Sequence, residues 1–461
     1  MTSAPPRSVL RRRLSILLGS LPILRFQPAQ GFEPSPENED RAPKMVFAHY
    51  MVAWPRAGAN ATIEDYQAEI REAIAHGIDG FALNCGGWSR SEPHYKRRVM
   101  QIFEAASALK ADFWLFVSAD GRAQDEVEDI VRSTADFPNQ LKVNGKPVLS
   151  TYSAGGKSST KRASLIKLSR ELGVFFVPHF VPDTGEEEIK DSQAQELISK
   201  LGGADGYFYF GAAGSPWVLA SSIRMLSDRI RAVRKLFMSS VTPYYRGLYN
   251  GTNYRAFETY GFVGMAMEWE AAIHGDADWV QIVTWNDWAE STYVAPILAA
   301  ERGRVFAERF NDMLSHKGYL EASRYYISWF KRGRRPEINR DEIFYFYRLH
   351  PVDVSEYGEW SSFGKRSVRS LPRTKERLSP DIHVTLLLKD QAEFTVKIDG
   401  RISTFKVGRG VTHLSVAFHA GIPRFTLRRR GSVIIDKVGE LEISSDDFSG
   451  QYNYFAGSAK G

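Results

Sequence analysis

In the stretch Val280-Gln-Ile-Val-Thr-Trp-Asn-Asp-Trp-Ala-Glu-Ser-Thr-Tyr-Val294, two carboxylates, Asp287 and Glu290, stand among indole and amide side chains. The stretch opens as an apolar, β-branched run, which is how a strand buried on both faces reads. Trp285, Asn286, Asp287, Trp288 and Glu290 then follow within six residues. Two carboxylates in such company, just past a buried strand, suit acid/base chemistry on a sugar. A simpler explanation competes with this one. Asp287 could cap a following helix and Glu290 complete a capping box. The rest of the chain has to decide between them.

The elements that would position this stretch repeat one theme. Apolar runs ending in a polar or small residue occur at Met45–His49, Ile78–Asn84, Phe113–Asp120, Pro147–Tyr152, Val174–His179, Gly206–Phe210, Leu236–Thr242 and Val280–Asp287. Amphipathic segments lie between them: Ile63–His76 with Gly77 as its stop, Val99–Leu109, Val127–Thr134, Ala163–Leu172, Ala194–Leu201 and Ala220–Leu236. Strands alternating with helices argue for a parallel sheet. Eight such units in about 250 residues match a closed (β/α)8 TIM-like barrel. No GxGxxG opens any of these helices, as a dinucleotide-binding sheet would require.

In a barrel, functional side chains sit at the C-terminal strand ends. Those ends present His49, Asn84, Asp120, Tyr152, His179, Thr242, Asn286 and Asp287. Hydrogen-bonding side chains at most of the strand ends are what a polyol site needs. Polar residues are also how strands stop.

Beyond Val294, segments Leu298–Lys317 and Leu320–Lys331 read as helices covering the barrel. From Ile382 the period shortens to strands at Ile382–Leu388, Ala392–Ile398, Ile402–Val407, Val411–Phe418, Pro423–Arg429, Val433–Val438 and Leu441–Ser444. Asp399-Gly400 and Arg430-Gly431 mark turns between them. A small antiparallel β-sandwich following the barrel is expected, as a structural appendage more than a glucan binder. The organisation is then a signal peptide (1–31), a linker (32–43), the barrel (44–350), a second linker (351–380) and the sandwich (381–461).

The totals narrow the function classes. A net charge of +6 is spread over dispersed residues with only short clusters, so no basic groove for nucleic acid is expected. Aromatic residues make up 13% of the chain, which suits either a sugar-stacking site or a large aromatic core. Cys85 is the only cysteine, so no intrachain disulfide is possible, and it reads as a buried thiol. The histidines show no HExxH or HxH spacing, so neither a catalytic metal nor another cofactor is expected. Arg11–Arg13 followed by the apolar run Leu14–Leu24 and Ala29-Gln-Gly31 read as an export signal. That run is too short to anchor the mature chain in a membrane, which points to a secreted or periplasmic protein. A monomer is expected. Sequons at Asn60 and Asn250 fit export in a host that glycosylates.

Several blocks, in order, resemble one family. Val46-Phe-Ala-His-Tyr-Met-Val52, Gly77-Ile-Asp-Gly-Phe-Ala-Leu-Asn84, Phe116-Val-Ser-Ala-Asp120, Gly145-Lys-Pro-Val-Leu-Ser-Thr-Tyr-Ser153 and Ile282-Val-Thr-Trp-Asn-Asp-Trp-Ala-Glu-Ser291 look like the signatures of glycoside hydrolase family 71, the α-1,3-glucanases or mutanases. Met238–Tyr245 resembles the block at the family's seventh strand, and Ile382–Ala459 its C-terminal β-domain. The resemblance implies endo-hydrolysis of α-1,3-glucan with inversion, catalysed by Asp287 and Glu290. Inversion needs one protonated carboxyl for the leaving oxygen and one carboxylate for water, roughly 6.5–9.5 Å apart. Glu290 is taken as the acid and Asp287 as the base. His49, Asn84, Asp120, Tyr152, His179, Trp285 and Asn286 would line the sugar subsite.

Two departures bear on the substrate. Phe210-Gly-Ala-Ala-Gly-Ser-Pro-Trp217 lacks the acidic residue of the family's Trp-Asp-Ala-Trp-like segment, and Gly261-Phe-Val stands where Gly-Asp-Asp is usual. Glu268 and Glu270, which flank Trp269, read as solvated residues on a helix. Two alternatives remain open. One is a glycosidase similar to glycoside hydrolase family 99, acting on α-mannan-like or surface polysaccharide. The other is a barrel that binds glycan without turnover.

Overall fold

The structure is a computed structural model that describes residues 42–90, 92–153, 158–180, 188–247, 255–297, 313–352, 374, 377–445 and 452–461. The expected export signal, nearly all of the first linker, most of the second, Asn250 and most of the expected 298–317 helix lie outside the described residues.

The parallel strands run as β1 (Met45–Met51), β2 (Gly80–Cys85), β3 (Trp114–Asp120), then, past a two-residue hairpin strand β4 (Lys142–Val143), β5 (Lys146–Tyr152), β6 (Phe175–Pro178), β7 (Gly206–Phe208), β8 (Leu236–Val241) and β9 (Trp279–Ile282). Each run read from the sequence is therefore a strand. Helices α1 (Ile63–Ala75), α2 (His94–Leu109), α3 (Gln124–Thr134), α4 (Ser159–Glu171), α5 (Asp191–Leu201), α6 (Pro216–Ala232), α7 (Val263–His274) and α8 (Lys317–Arg332) follow them in turn. Local chemistry sets the boundaries. Thr62 caps α1 through a capping box with Asp65, and Gly77 leaves it at φ +84°, a conformation that glycine adopts freely.

Parallel ladders join β6-β5-β3-β2-β1-β9-β8-β7 into one curled sheet. Its two end strands are linked through Asp205. The Asp205 N–H donates to Phe176 O (2.9 Å), and its carboxylate accepts from Phe176 N–H (2.8 Å). Every parallel strand also contributes to a single inner cluster, through Phe47, Ala82, Phe116, Val148, Val177, Phe208, Met238 and Trp279 among others. Trp279 on β9 meets Phe175 on β6 across that interior, with ring centroids 6.4 Å apart. A filled interior ringed by strands, with helices outside, is a TIM-like barrel.

Strand periodicity then places the site. Side chains two or four positions along a strand share its face. His49, Asn84, Asp120, Tyr152 and His179 stand two or four residues beyond Phe47, Ala82, Phe116, Val148 and Val177, in the C-terminal direction. They form the next layers of the same interior.

The C-terminal part holds two antiparallel sheets. One orders β14 (Gly410–Val416), β11 (Ile382–Leu388), β10 (Glu342–Tyr347) and β17 (Phe455–Lys460). The other orders β13 (Arg401–Val407), β12 (Ala392–Ile398), β15 (Arg424–Arg429) and β16 (Ser432–Val438). Their apolar faces share one core, in which Tyr345 and Phe425 stack at 4.4 Å. Leu441–Ser444, expected as a strand, makes only an isolated bridge from Ile443 to Gly421. β10 and β17 were not legible as strands of this domain.

A buried ion pair ties this region to the barrel. Arg348, just past β10, donates to Glu258 Oε2 (3.1 Å), and both side chains are almost wholly buried. Burial pushes the Glu258 carboxyl up. Arg348, His383 and the donors Tyr454 O–H and Tyr260 N–H outweigh that and hold it below the usual range. Breaking one side of such a pair strands the other charge, which costs about 3–5 kcal/mol. Urea unfolding of Glu258→Gln should therefore show a loss of that size, and a loss below about 1 kcal/mol would contradict it.

Candidate active site

The 283–294 segment leaves β9 as turns and bends, with no helix within it. Val283 N–H donates to Val241 O, and Trp285 N–H to His49 O (2.8 Å), so the segment is stitched to the strands on both sides. Asp287 N–H donates to Thr284 Oγ1 (2.7 Å), and Asp287 Oδ1 accepts from Glu290 N–H (3.0 Å). The first half of the capping explanation therefore holds for a turn. The second does not, because a capping box would return the Glu290 carboxylate to Asp287 N–H. Glu290 Oε1 instead accepts the Tyr245 phenol O–H (3.2 Å), while Glu290 O accepts Arg246 N–H (2.9 Å).

The two carboxyls therefore have different surroundings. Asp287 is buried, and burial pushes its pKa up to about 6 against the opposing pull of the Glu290 and Ala289 N–H donors. Glu290 is half-buried. Burial, and then the neighbouring Glu290 charge, keep the Tyr245 phenol protonated as its donor.

Around them the strand ends converge on Phe210. Its ring meets Tyr152 at 4.8 Å, His49 at 5.2 Å and His179 at 6.0 Å, and Tyr152 stacks on His179 at 5.5 Å. Burial pushes both imidazoles down to about 4, so both are neutral near pH 7. Nδ1 of His49 faces Gln281 Oε1 (2.6 Å) and Nδ1 of His179 faces Phe208 O (3.0 Å). Gln281 Oε1 accepts, so Nδ1 of His49 carries the proton and its Nε2 is left as an acceptor. Nδ1 of His179 also faces the Phe210 N–H (3.4 Å), and the shorter contact to the Phe208 carbonyl favours a proton there as well. Asn84 hydrogen-bonds Asp120, whose carboxyl is raised by burial against the pull of Asn84 and Arg122. Asp120 pairs in register with Tyr152 on the next strand.

Trp285 and Asn286 are placed elsewhere. The Trp285 indole N–H donates to Glu69 Oε2 (2.7 Å) on the buried face of α1, and Tyr50 O–H donates to Glu69 Oε1 (3.0 Å). Asn286 accepts from Met51 N–H (2.7 Å) and donates to Met51 O (3.1 Å) and Trp54 O (2.8 Å). Trp285 holds the segment against α1 and Asn286 holds it against β1 and the loop after it, and neither joins the cluster around Phe210.

Glu268, expected in solvent, is 2% exposed and accepts Thr242 N–H (2.8 Å) at the end of β8. The solvated reading is corrected for that residue. Cys85 is a buried free thiol that burial pushes up, inert in keeping with its reading.

Sequence reasoning passed over Glu69, Tyr245, Phe210 and Gln281. Two left signals. Glu69 is charged on the same helical stripe as Tyr66, Ile70 and Ala73, and Gln281 interrupts an apolar strand. Tyr245, in the loop after β8, left only its place at the end of the Met238–Tyr245 block.

The model of glycosyl hydrolase family 71 matches residues 42–461. The chain is similar to a glucan endo-1,3-alpha-glucosidase of Schizosaccharomyces pombe, at 27% identity over 88% of this chain and 93% of the relative. It is similar to a mutanase of Penicillium rubens, at 25% identity over 97% and 95% of the two chains. Among solved structures, an endo-alpha-mannosidase of glycoside hydrolase family 99 from Bacteroides thetaiotaomicron superposes with TM-score 0.47. The two share 17% identity, over 62% of this chain and 98% of that one.

Proposed function

Because the chain belongs to glycosyl hydrolase family 71, we propose that it cleaves α-1,3-glucan internally with inversion, Asp287 acting as base and Glu290 as acid. The observation that carries this reading is a buried carboxyl and a half-buried one on a single turn beyond β9. Asp287 is buried, and burial raises its proton affinity to a pKa of about 6. Near neutral pH it is ionised yet a stronger base than a free carboxylate, as activation of water requires. The N–H bonds it accepts from Glu290 and Ala289 favour the charged form. Glu290 accepts the Tyr245 phenol O–H through Oε1 and would deliver the proton to the leaving sugar oxygen.

The sugar would sit over Phe210 and contact His49, Asn84, Asp120, Tyr152 and His179. Neutral imidazoles and an amide offer acceptors and donors for hydroxyls, and Asp120 adds a carboxyl group. Trp285 and Asn286 position the carboxylate segment and make no sugar contact. The glucan is named from the Schizosaccharomyces pombe relative, whose name specifies 1,3-α linkage and endo action. The two C-terminal sheets would form a β-sandwich, and the protein would act outside the cell as a monomer.

Incubation of the protein with insoluble α-1,3-glucan, followed by NMR of the first anomer released, tests this. Inversion of an α-linkage gives the β-anomer first. Release of the α-anomer would sink the two-carboxylate inverting scheme. No attack on α-1,3-glucan, while another α-glycan is cut, would overturn the substrate.

A further inference from the structure

The residues that seat Glu290 are themselves held by the last segment of the chain. Tyr245 donates to the Glu290 side chain and Arg246 N–H to its carbonyl. Their neighbour Tyr244 donates its phenol O–H to Tyr452 O (2.7 Å), which also accepts from Arg348 Nε (2.9 Å). Downstream of Glu290, the Tyr293 hydroxyl accepts from Asn453 Nδ2 (3.2 Å). Tyr293 stacks on His316 at 4.2 Å, and His316 in turn meets Asn453 Oδ1 through Nε2 (2.8 Å). Tyr454 O–H donates to Glu258 Oε1 (2.6 Å), and the Arg348 guanidinium lies 4.0 Å over the Tyr454 ring. All three of Tyr452, Asn453 and Tyr454 are at most 2% exposed, so these bonds form away from competing water.

The three residues lead directly into β17, which pairs with β10 in the C-terminal sheet. The helix that closes the barrel is pressed on the same strand. A Cβ at Gly318 of α8 would fall 2.8 Å from Gly457 O, so only glycine fits there. The outward-facing residues of β12, such as Glu393, Thr395 and Lys397, include no aromatic ring on which a sugar could stack.

We infer that Tyr452-Asn453-Tyr454 positions the Glu290 carboxyl from both sides, through Tyr244–Arg246 and through Tyr293, making the C-terminal sheets a fixed part of the catalytic unit. The inference rests on the reading of Glu290 as a catalytic residue. The three residues touch no substrate, and they act by fixing where a proton is delivered. An acid displaced by an ångström loses rate without losing affinity for the glucan.

A double-mutant cycle on a soluble α-1,3-linked oligosaccharide tests this, using Tyr244→Phe, Asn453→Ala and Glu290→Gln in the full chain. Tyr244→Phe and Asn453→Ala should each lower kcat about tenfold with KM within about twofold. In the Glu290→Gln background the same changes should lower kcat by less than about twofold, because the group they position is gone. Equal losses in both backgrounds, or unchanged kcat in the single variants, overturn the inference. Should Asn453→Ala fail to fold, Tyr244→Phe, which removes one hydroxyl, decides alone. Full activity in Glu290→Gln itself would instead remove the reading on which the inference stands.

Discussion

Asp287→Asn should lower kcat on α-1,3-glucan by at least about a hundredfold, the size expected for loss of a general base, and should raise the melting temperature at neutral pH. The two effects have one cause. Folding raises the Asp287 pKa from 3.8 to about 6 by burial. Between those values the folded chain holds more protons than the unfolded one, so stability falls as pH rises through the window. Above about pH 6 the buried charge costs the fold about 3 kcal/mol, at about 1.4 kcal/mol per pKa unit. Asn can accept the same Glu290 and Ala289 N–H bonds while staying neutral. After imperfect replacement, a net gain of about 1–2 kcal/mol is expected. The difference in melting temperature between variant and wild type should shrink as pH falls from about 6 toward 4. In the wild type, kcat/KM should drop about tenfold per pH unit below about 6, because only ionised Asp287 accepts the proton of water. A variant that is inactive yet no more stable would separate Asp287 from the electrostatic account of its basicity.

Glu290→Gln should cost a similar factor by a different route. The leaving group is a sugar hydroxyl, a poor alkoxide, so cleavage needs a proton delivered as the bond breaks. Gln keeps the size and the acceptor for Tyr245 O–H but carries no transferable proton. Glu290 is half-buried, so little change in melting temperature is expected. The limb of the pH–rate profile near pH 6, set by Asp287, should remain in this variant. A variant that keeps the wild-type kcat would show that Glu290 is not the proton donor.

The strands and the rim of the site were legible because a buried parallel strand is an apolar run and its polar end is visible in one dimension. Parity along each strand even gave the correct facing of His49, Asn84, Asp120, Tyr152 and His179. Asp287 and Glu290 were singled out because both lie in one short segment. Trp285 and Asn286 were grouped with them for the same reason. Neighbours in sequence leave an irregular turn in different directions, and these two turn toward α1 and the loop after β1.

Glu268 was misread because α7 is apolar on nearly every side, from Met265 through Trp269 to Ile273. Without a polar face, periodicity cannot say which way a single carboxylate points. β17 was missed because Phe455-Ala-Gly-Ser-Ala-Lys460 is chosen for smallness, so that α8 can approach it. Tyr245 acquires its role only from contact with a residue 45 positions away, which no local pattern encodes.

The most direct test of the central claim compares two substrates in the two carboxylate variants: an α-1,3-linked oligosaccharide and the corresponding α-glycosyl fluoride. Fluoride leaves without needing a full proton, whereas both substrates need an activated water. The account predicts that Glu290→Gln recovers most of its rate on the fluoride, while Asp287→Asn stays at least about a hundredfold slow on both. Recovery by Asp287→Asn and not by Glu290→Gln would reverse the two roles, and full activity of either variant on the oligosaccharide would remove that residue from the chemistry.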